Sequence, residues 1–280
     1  MLYHIVKSNE GDVLMKYGFI GAGNMAGAII KGMTVGTKSF DGKDIFVYDV
    51  SKDALDSLTS VCGTNSCASA EEVVKSADVI VFAVKPNVLA DAVSPLKDII
   101  AEKSPLVISI AAGKDIAFLE GLFTSKLPII RVMPNINAKV GAATSAFCAN
   151  SAVTDEQKEI LKSLFSTVGS VTELPEKLFT IHSVIGGAAP AFAYLYIDSL
   201  ARAAVKAGMP KKQALELTAQ TVLGSAKMVL ESDEHPWALI DQVCSPGGTT
   251  IEGVVKLQEC GFENALCKAF DAVLEKDKKL

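Results

Sequence analysis

The sequence predicts an α/β chain: a parallel sheet layered with helices in its first part, and helices alone in its second. Three observations carry this. Short apolar runs alternate with helical patterns from Tyr17 to Leu174. A glycine-rich turn, Gly21-Ala22-Gly23-Asn24-Met25-Ala26, joins the first run to a helical pattern. Strand patterns cease at Pro175, beyond which helical stretches are separated by Gly and Pro. The predicted domains are therefore 1–173 and 174–280.

Residues 1–14 are an atypical leader before the first strand, and Met15 would be a natural start. Residues 17–20 suit a buried strand. Gly21, Gly23 and Ala26 then spell G-x-G-x-x-A between strand and helix, the Rossmann dinucleotide-binding fingerprint. Gly21 permits the tight turn, Gly23 lets a pyrophosphate approach the backbone, and Ala26 lets helix and strand pack closely. The helix start supplies free N–H groups and a positive dipole end to that anion. Residues 38–44 form a polar loop, and 45–49 are the second strand, ending in Asp49. An acid there accepts from the adenosine ribose hydroxyls and favours NAD. Ser51 and Lys52 follow at once, and a hydroxyl with a cation could instead hold the 2′-phosphate of NADP. A solvated turn aspartate is the plain alternative, so the cofactor is read as NAD(P).

Residues 71–76 read as a helix. Residues 78–84 are a near-continuous apolar strand, as in a sheet covered on both faces. It runs into Lys85-Pro86 at its carboxyl end, where open α/β sheets bind ligands. Lys85 either touches cofactor or substrate or is a surface lysine. Helix 87–100, strand 106–111, helix 116–122 and strand 129–133, closed by Pro134-Asn135, repeat the pattern. That spacing implies crossovers and a parallel sheet. Residues 142–148 and 170–174 read as two more strands around a helix at 155–167, which Thr154 or Asp155 caps.

In the second part, a helical region opens at 179 and breaks at Gly186-Gly187 and Pro190. Residues 191–207 are apolar on most faces apart from Asp198, Arg202 and Lys206, which predicts burial against another subunit. A helix to about Glu231 starts at Pro210, a short one at His235-Pro236, another at Ile251, and a last amphipathic one follows Gly261.

The formal net charge of −5 gives no support for a nucleic-acid partner. No apolar run approaches the ~18 residues of a membrane span, so no membrane partner is expected. Six cysteines lie without C-x-x-C or metal spacing and read mostly as small core residues in a reducing cytoplasm. No metal site, Ser/His/Asp order or phosphate-binding lysine loop appears. His182 and His235 read as structural more readily than as bases. This pattern suits hydride transfer, in which the cofactor carries the chemistry.

The remaining sharp feature is Ser245-Pro246-Gly247-Gly248-Thr249-Thr250, just before a helix. Its backbone amides and helix dipole can hold a carboxylate, and Thr250 adds a hydroxyl. A helix cap with no ligand is the alternative. With this stretch the chain resembles the pyrroline-5-carboxylate reductase family along nearly its full length from Tyr17. The matching segments are GFIGAGNMAGAI, FAVKP, ISIAAG, RVMPN, PAFAYLYIDSLARAAVKAGM and DQVCSPGGTTIEG. The resemblance implies a Rossmann domain and an all-helical dimerisation domain, with dimers often assembled into larger rings. It implies reduction of the cyclic imine 1-pyrroline-5-carboxylate to L-proline, the last step of proline synthesis. It assigns the substrate carboxylate to amides of Gly247, Gly248 and Thr249, and the ring nitrogen to Thr250. On that reading Gly21, Ala22, Gly23, Asn24 and Met25 cradle the pyrophosphate, with the ribose by Asp49 and, for NADP, its 2′-phosphate by Ser51. Ala83, Val84, Lys85 and Pro86, with Met133, Pro134 and Asn135, border the nicotinamide. The site would combine one subunit's Rossmann face with its partner's helices.

One departure stands out. Where relatives commonly show S-G-S-G-P-A, this chain has Gly186-Gly187-Ala188-Ala189-Pro190-Ala191, so two hydroxyls are missing. Two other readings remain open. A β-hydroxyacid dehydrogenase would be expected to carry a catalytic lysine on the helix where only Lys206 lies. A non-catalytic nucleotide-binding relative would fit the lost serines but not the intact SPGGTT.

Overall fold

The computed structural model of the chain describes residues 15–277; the leader at 1–14 lies outside them. The chain forms two compact units, Met1–Gly187 and Ala188–Leu280.

The first unit is built on one eight-stranded sheet. In chain order its strands are β1 (Tyr17–Ile20), β2 (Ile45–Tyr48), β3 (Asn65–Ser66), β4 (Val79–Phe82), β5 (Leu106–Ser109), β6 (Ile129–Met133), β7 (Ala143–Ala149) and β8 (Gly169–Glu173). They lie in the order 3-2-1-4-5-6-7-8. All residues of β1, β4 and β5 are buried, because helices cover both faces. On one face α1 (Asn24–Lys31) brings Ile29 and Ile30 against Phe19 and Val47, with Leu161 and Phe165 of α7 (Asp155–Phe165) in the same core. On the other, Ile80 and Phe82 pack with Val73 of α3 (Ala70–Ser76), Val93 of α4 (Leu89–Val93) and Ile100 of α5 (Lys97–Lys103). The chain leaves β1 for β2 on one side and later enters β4 on the other. The strand order therefore reverses at β1, and a crevice opens there at the carboxyl ends.

Four elements differ from the sequence reading. β7 runs antiparallel to β6, with Ile130 opposite Ala149. The link between them is shorter than the dozen or so residues a parallel crossover needs. A helix, α2 (Lys52–Cys62), and the short β3 fill the stretch that the sequence left unassigned. Their signals were present: Ser51 caps the helix by accepting from the Ala54 N–H, Leu55, Leu58 and Cys62 are buried, and Gly63 ends it at φ 68°. The expected helix at 87–100 is two helices, α4 and α5, parted by the turn at Pro95. The expected break at Gly186-Gly187 does not occur. A short α8 (Phe179–His182) continues through a π-helical turn, Ser183–Ala188, into α9 (Ala189–Lys206). Pro190 sits in the first turn of α9, where its missing N–H is tolerated.

That continuity corrects a second expectation. The stretch Glu176–Lys206 is, by length and composition, a helix apolar enough to cross a membrane, with mean hydropathy 1.4 over an 18-residue window within it. It arises because two apolar segments that the sequence reading kept apart are one helix.

The sequence reading divides the domains after residue 173, and the compact units part after Gly187. The segment between them is fastened to the sheet. Glu176 Oε1 accepts from the Ile116 N–H at 2.8 Å and from Arg131 Nη1 at 2.9 Å. The Arg131 guanidinium lies 4.4 Å from the centre of the Phe179 ring, and His182 Nε2 is 3.2 Å from the Met133 carbonyl oxygen.

The second unit holds α9, α10 (Lys211–Glu231), α11 (Pro236–Val243), α12 (Thr249–Glu259) and α13 (Phe262–Asp277). Among its described residues only Ala201, Ala214 and Thr218 are buried. The predicted Asp198–Arg202 pair forms, at 2.5 Å.

Candidate active site

The fingerprint loop follows β1 as expected. Gly21 has φ +106°, and a Cβ there would lie 2.6 Å from the Ala83 carbonyl oxygen, so the approach of β4 requires glycine. Gly23 is different: it is exposed, and an added Cβ would meet nothing within 4 Å. Its face is open space, as a bulky phosphate needs. Gly23 also caps α1, with no side chain capping it and no acid in the first turn. The amides opening that helix are thus unopposed donors for an anion. Asn24 is exposed, Met25 half-buried, and Ala26 packs at 1% exposure. The residues present fit a dinucleotide pyrophosphate.

Asp49 stands directly after β2, with both carboxylate oxygens on the backbone. Oδ2 accepts from the Ala22 N–H at 2.6 Å and Oδ1 from the Ser51 N–H at 2.8 Å. It is therefore a brace between two loops, not a free turn residue. Ala83 and Val84 are half-buried after β4, and Lys85 is exposed, its carbonyl accepting from the Val88 N–H at 2.9 Å. Strand register brings these loops to one edge, since Ile20 pairs with both Tyr48 and Phe82. After β6, Met133 and Pro134 are half-buried; Asn135 is buried, and its Oδ1 accepts from the Thr144 N–H at 3.2 Å. Asn135 thus steadies the start of β7.

A cavity of about 540 Å³ opens beside Gly21 and Asp49. Its wall includes Ser69, Glu71 and Asp91, which sequence reasoning did not assign. The available signal was their place at the starts of the helices that follow the sheet's carboxyl edge.

In the second unit, Ser245 to Gly248 forms a tight turn. The Gly248 N–H donates to the Ser245 carbonyl at 2.9 Å, with Pro246 and Gly247 (φ +70°) at the corner. A Cβ on Gly248 would lie 2.3 Å from Ser245 Oγ and 3.0 Å from the Ser245 carbonyl oxygen, so a side chain there would displace the Ser245 hydroxyl. Gly248 is the N-cap of α12, and no side chain caps the helix. The threonines are therefore not the cap that the sequence left as an alternative. They occupy the first turn, exposed, with open amides.

The remaining candidates are structural. His235 Nδ1 accepts from the Trp237 N–H and caps α11, and His182 is buried against Met133. Cys62, Cys67 and Cys148 are core residues, but Cys244 is half-buried and Cys260 and Cys267 are exposed, so half of the cysteines depart from the expectation. Among the described residues no His, Cys, Asp or Glu cluster is placed to hold a metal.

A glycine cradle at the switch point of a Rossmann sheet, followed by a helical unit with an open turn at a helix start, points to a nicotinamide-dinucleotide oxidoreductase. Comparison with known proteins specifies it. Residues 176–280 match the family model for pyrroline-5-carboxylate reductase dimerisation, and 16–113 match that for NADP oxidoreductase, coenzyme F420-dependent. The chain is 42% identical to the pyrroline-5-carboxylate reductase of Escherichia coli, over 95% of this chain and 98% of that one. The enzyme's structure from Coxiella burnetii superimposes with TM-score 0.89 at 33% identity, covering 95% of this chain and 98% of the other. That from Plasmodium falciparum, with NADP bound, gives 0.81 at 33%, covering 95% and 97%. The chain belongs to the pyrroline-5-carboxylate reductase family.

Proposed function

We propose that the chain reduces 1-pyrroline-5-carboxylate to L-proline, the last step of proline synthesis, with NAD(P)H as reductant. The observation that carries the reading is the turn Ser245–Thr250, which the positive φ of Gly247 and the close packing of Gly248 on Ser245 shape and which leaves the start of α12 without a side-chain cap. The reduced nicotinamide supplies the hydride when bound. Gly21 to Met25 hold its pyrophosphate, and Ala83 to Pro86 with Met133 to Asn135 border its ring. Amides at Gly247 and Thr249 hold the substrate carboxylate at the start of the helix, where the dipole favours an anion; the Gly248 N–H is spent on the Ser245 carbonyl and shapes the turn. The Thr250 hydroxyl faces the imine nitrogen and fixes its orientation. Catalysis comes mainly from alignment, in keeping with a site that has no obvious general acid.

The family's dimerisation region supports a homodimer. Its assembly into a larger ring and a cytoplasmic location belong to the same proposal, supported by resemblance to the family.

Thr250→Ala tests the site. A hydrogen bond to a charged partner is worth about 1.5–3 kcal/mol, so turnover should fall roughly ten- to a hundredfold. Nucleotide affinity, measured by fluorescence titration, should hold. Unchanged turnover removes Thr250 from the mechanism.

A further inference from the structure

We infer that this chain prefers NADH to NADPH and that Asp49 sets the preference; this rests on the NAD(P)H reading above. The two nucleotides differ only by a phosphate on the adenosine 2′-oxygen, which in this fold lies off the end of β2. Asp49 occupies that place, its carboxylate fixed by the Ala22 and Ser51 N–H groups at 2.6 and 2.8 Å. Those bonds consume two amides that could otherwise have served a phosphate. The Ser51 hydroxyl in turn accepts from the Ala54 N–H, capping α2. That bond leaves the Ser51 O–H as a donor, but neither Ser51 nor the exposed Lys52 lies in the cavity wall.

The cavity itself sharpens the point. Asp49, Glu71 and Asp91 all line it, and no lysine or arginine does. Glu71 is ion-paired with Lys75 at 2.6 Å, and Lys75 is not part of the wall. A 2′-phosphate, bearing about −1.5 to −2 charges, would enter among three carboxylates. A ribose diol meets no such repulsion. Each Asp49 oxygen already accepts one backbone bond and keeps a second lone pair for a hydroxyl donor. The Plasmodium relative carries NADP; the lining here points the other way.

The test is equilibrium binding of NADH and of NADPH to the whole protein, read by nucleotide fluorescence at low and high salt. NADH should bind at least about tenfold tighter at low salt, and the gap should narrow as salt screens the carboxylates. Asp49→Asn should shrink the gap by weakening NADH and relieving NADPH, while Lys52→Ala should leave it in place. Equal or tighter binding of NADPH overturns the inference, as does a Lys52→Ala variant that loses NADPH alone. Binding of neither nucleotide would sink the cofactor reading itself, and the inference with it.

Discussion

The two units solve burial in opposite ways. The sheet unit closes its own core: Phe19, Ile29, Ile30, Phe82, Phe147 and Phe165 are at most 1% exposed. The helical unit leaves Leu195, Leu217, Leu223 and Leu230 between 58% and 85% exposed. Apolar helices with so few buried residues are not a finished core, and exposed patches of this kind mark an interface. The family's dimerisation region covers this stretch, so a second copy supplies what is missing. The same contrast explains the long helix at Glu176–Lys206, whose span-like hydropathy reflects a surface meant for protein. One unit therefore folds around its ligand loops, and the other depends on association for its structure.

The strongest break of that contrast places a charge on the unfinished surface. Leu217→Asp with Leu223→Asp would bury unpaired carboxylates in the dimer, at a cost of about 3–5 kcal/mol each. The variant should run as a monomer in sedimentation, lose helical signal on mild heating and lose nearly all turnover. The sheet unit should still bind nucleotide. A variant that remains a fully active dimer would disprove the contrast.

A smaller effect is expected from the self-contained side. Gly21→Ala combines a positive φ with a Cβ 2.6 Å from the Ala83 carbonyl. Strain of this kind costs about 1–3 kcal/mol. The loop must shift, so nucleotide affinity should fall roughly tenfold or more, while the dimer persists. Unaltered affinity would show that the cradle does not depend on this turn.

Legibility in the sequence followed the same line. The sheet was readable because buried parallel strands are apolar throughout, as at 79–82 and 106–109, and because glycines punctuate the turns. The reversal of β7 escaped because periodicity is blind to strand polarity; the shortness of its link to β6 was the signal that could have shown it. Asp49 was legible as an acid after β2, but its bonds to Ala22 and Ser51 are three-dimensional facts. Glu71 and Asp91 were invisible for the same reason, since helices following β3 and β4 bring them to one cavity wall. The Gly186-Gly187 break failed because a π-helical turn absorbs glycines that a regular helix would resist. The Ser245–Thr250 turn was legible down to its glycines, yet its N-cap proved to be Gly248 rather than a threonine.

The mildest test separates the units by pH. Burial pushes Cys148 up to about 12, helped by Glu176, and Cys67 up to about 11, helped by Glu72. Burial, with Asp44 and Asp78, raises Tyr17 to about 12. All three lie in the sheet unit. Each folded group holds its proton at a pH where the unfolded chain, with values of 9.0 for Cys and 10.0 for Tyr, gives it up. Their contribution is whole below about pH 9 and is lost as pH rises toward 12, because the unfolded state then binds fewer protons. Urea midpoints for the sheet unit, followed by nucleotide fluorescence, should therefore decline between pH 8.5 and roughly 10.5. Tyr17→Phe, which removes one titrating group from that core, should flatten the upper part of the decline. A midpoint insensitive to pH over this range would mean that these groups are solvated, and that the cores of the sheet unit in which they lie are not closed.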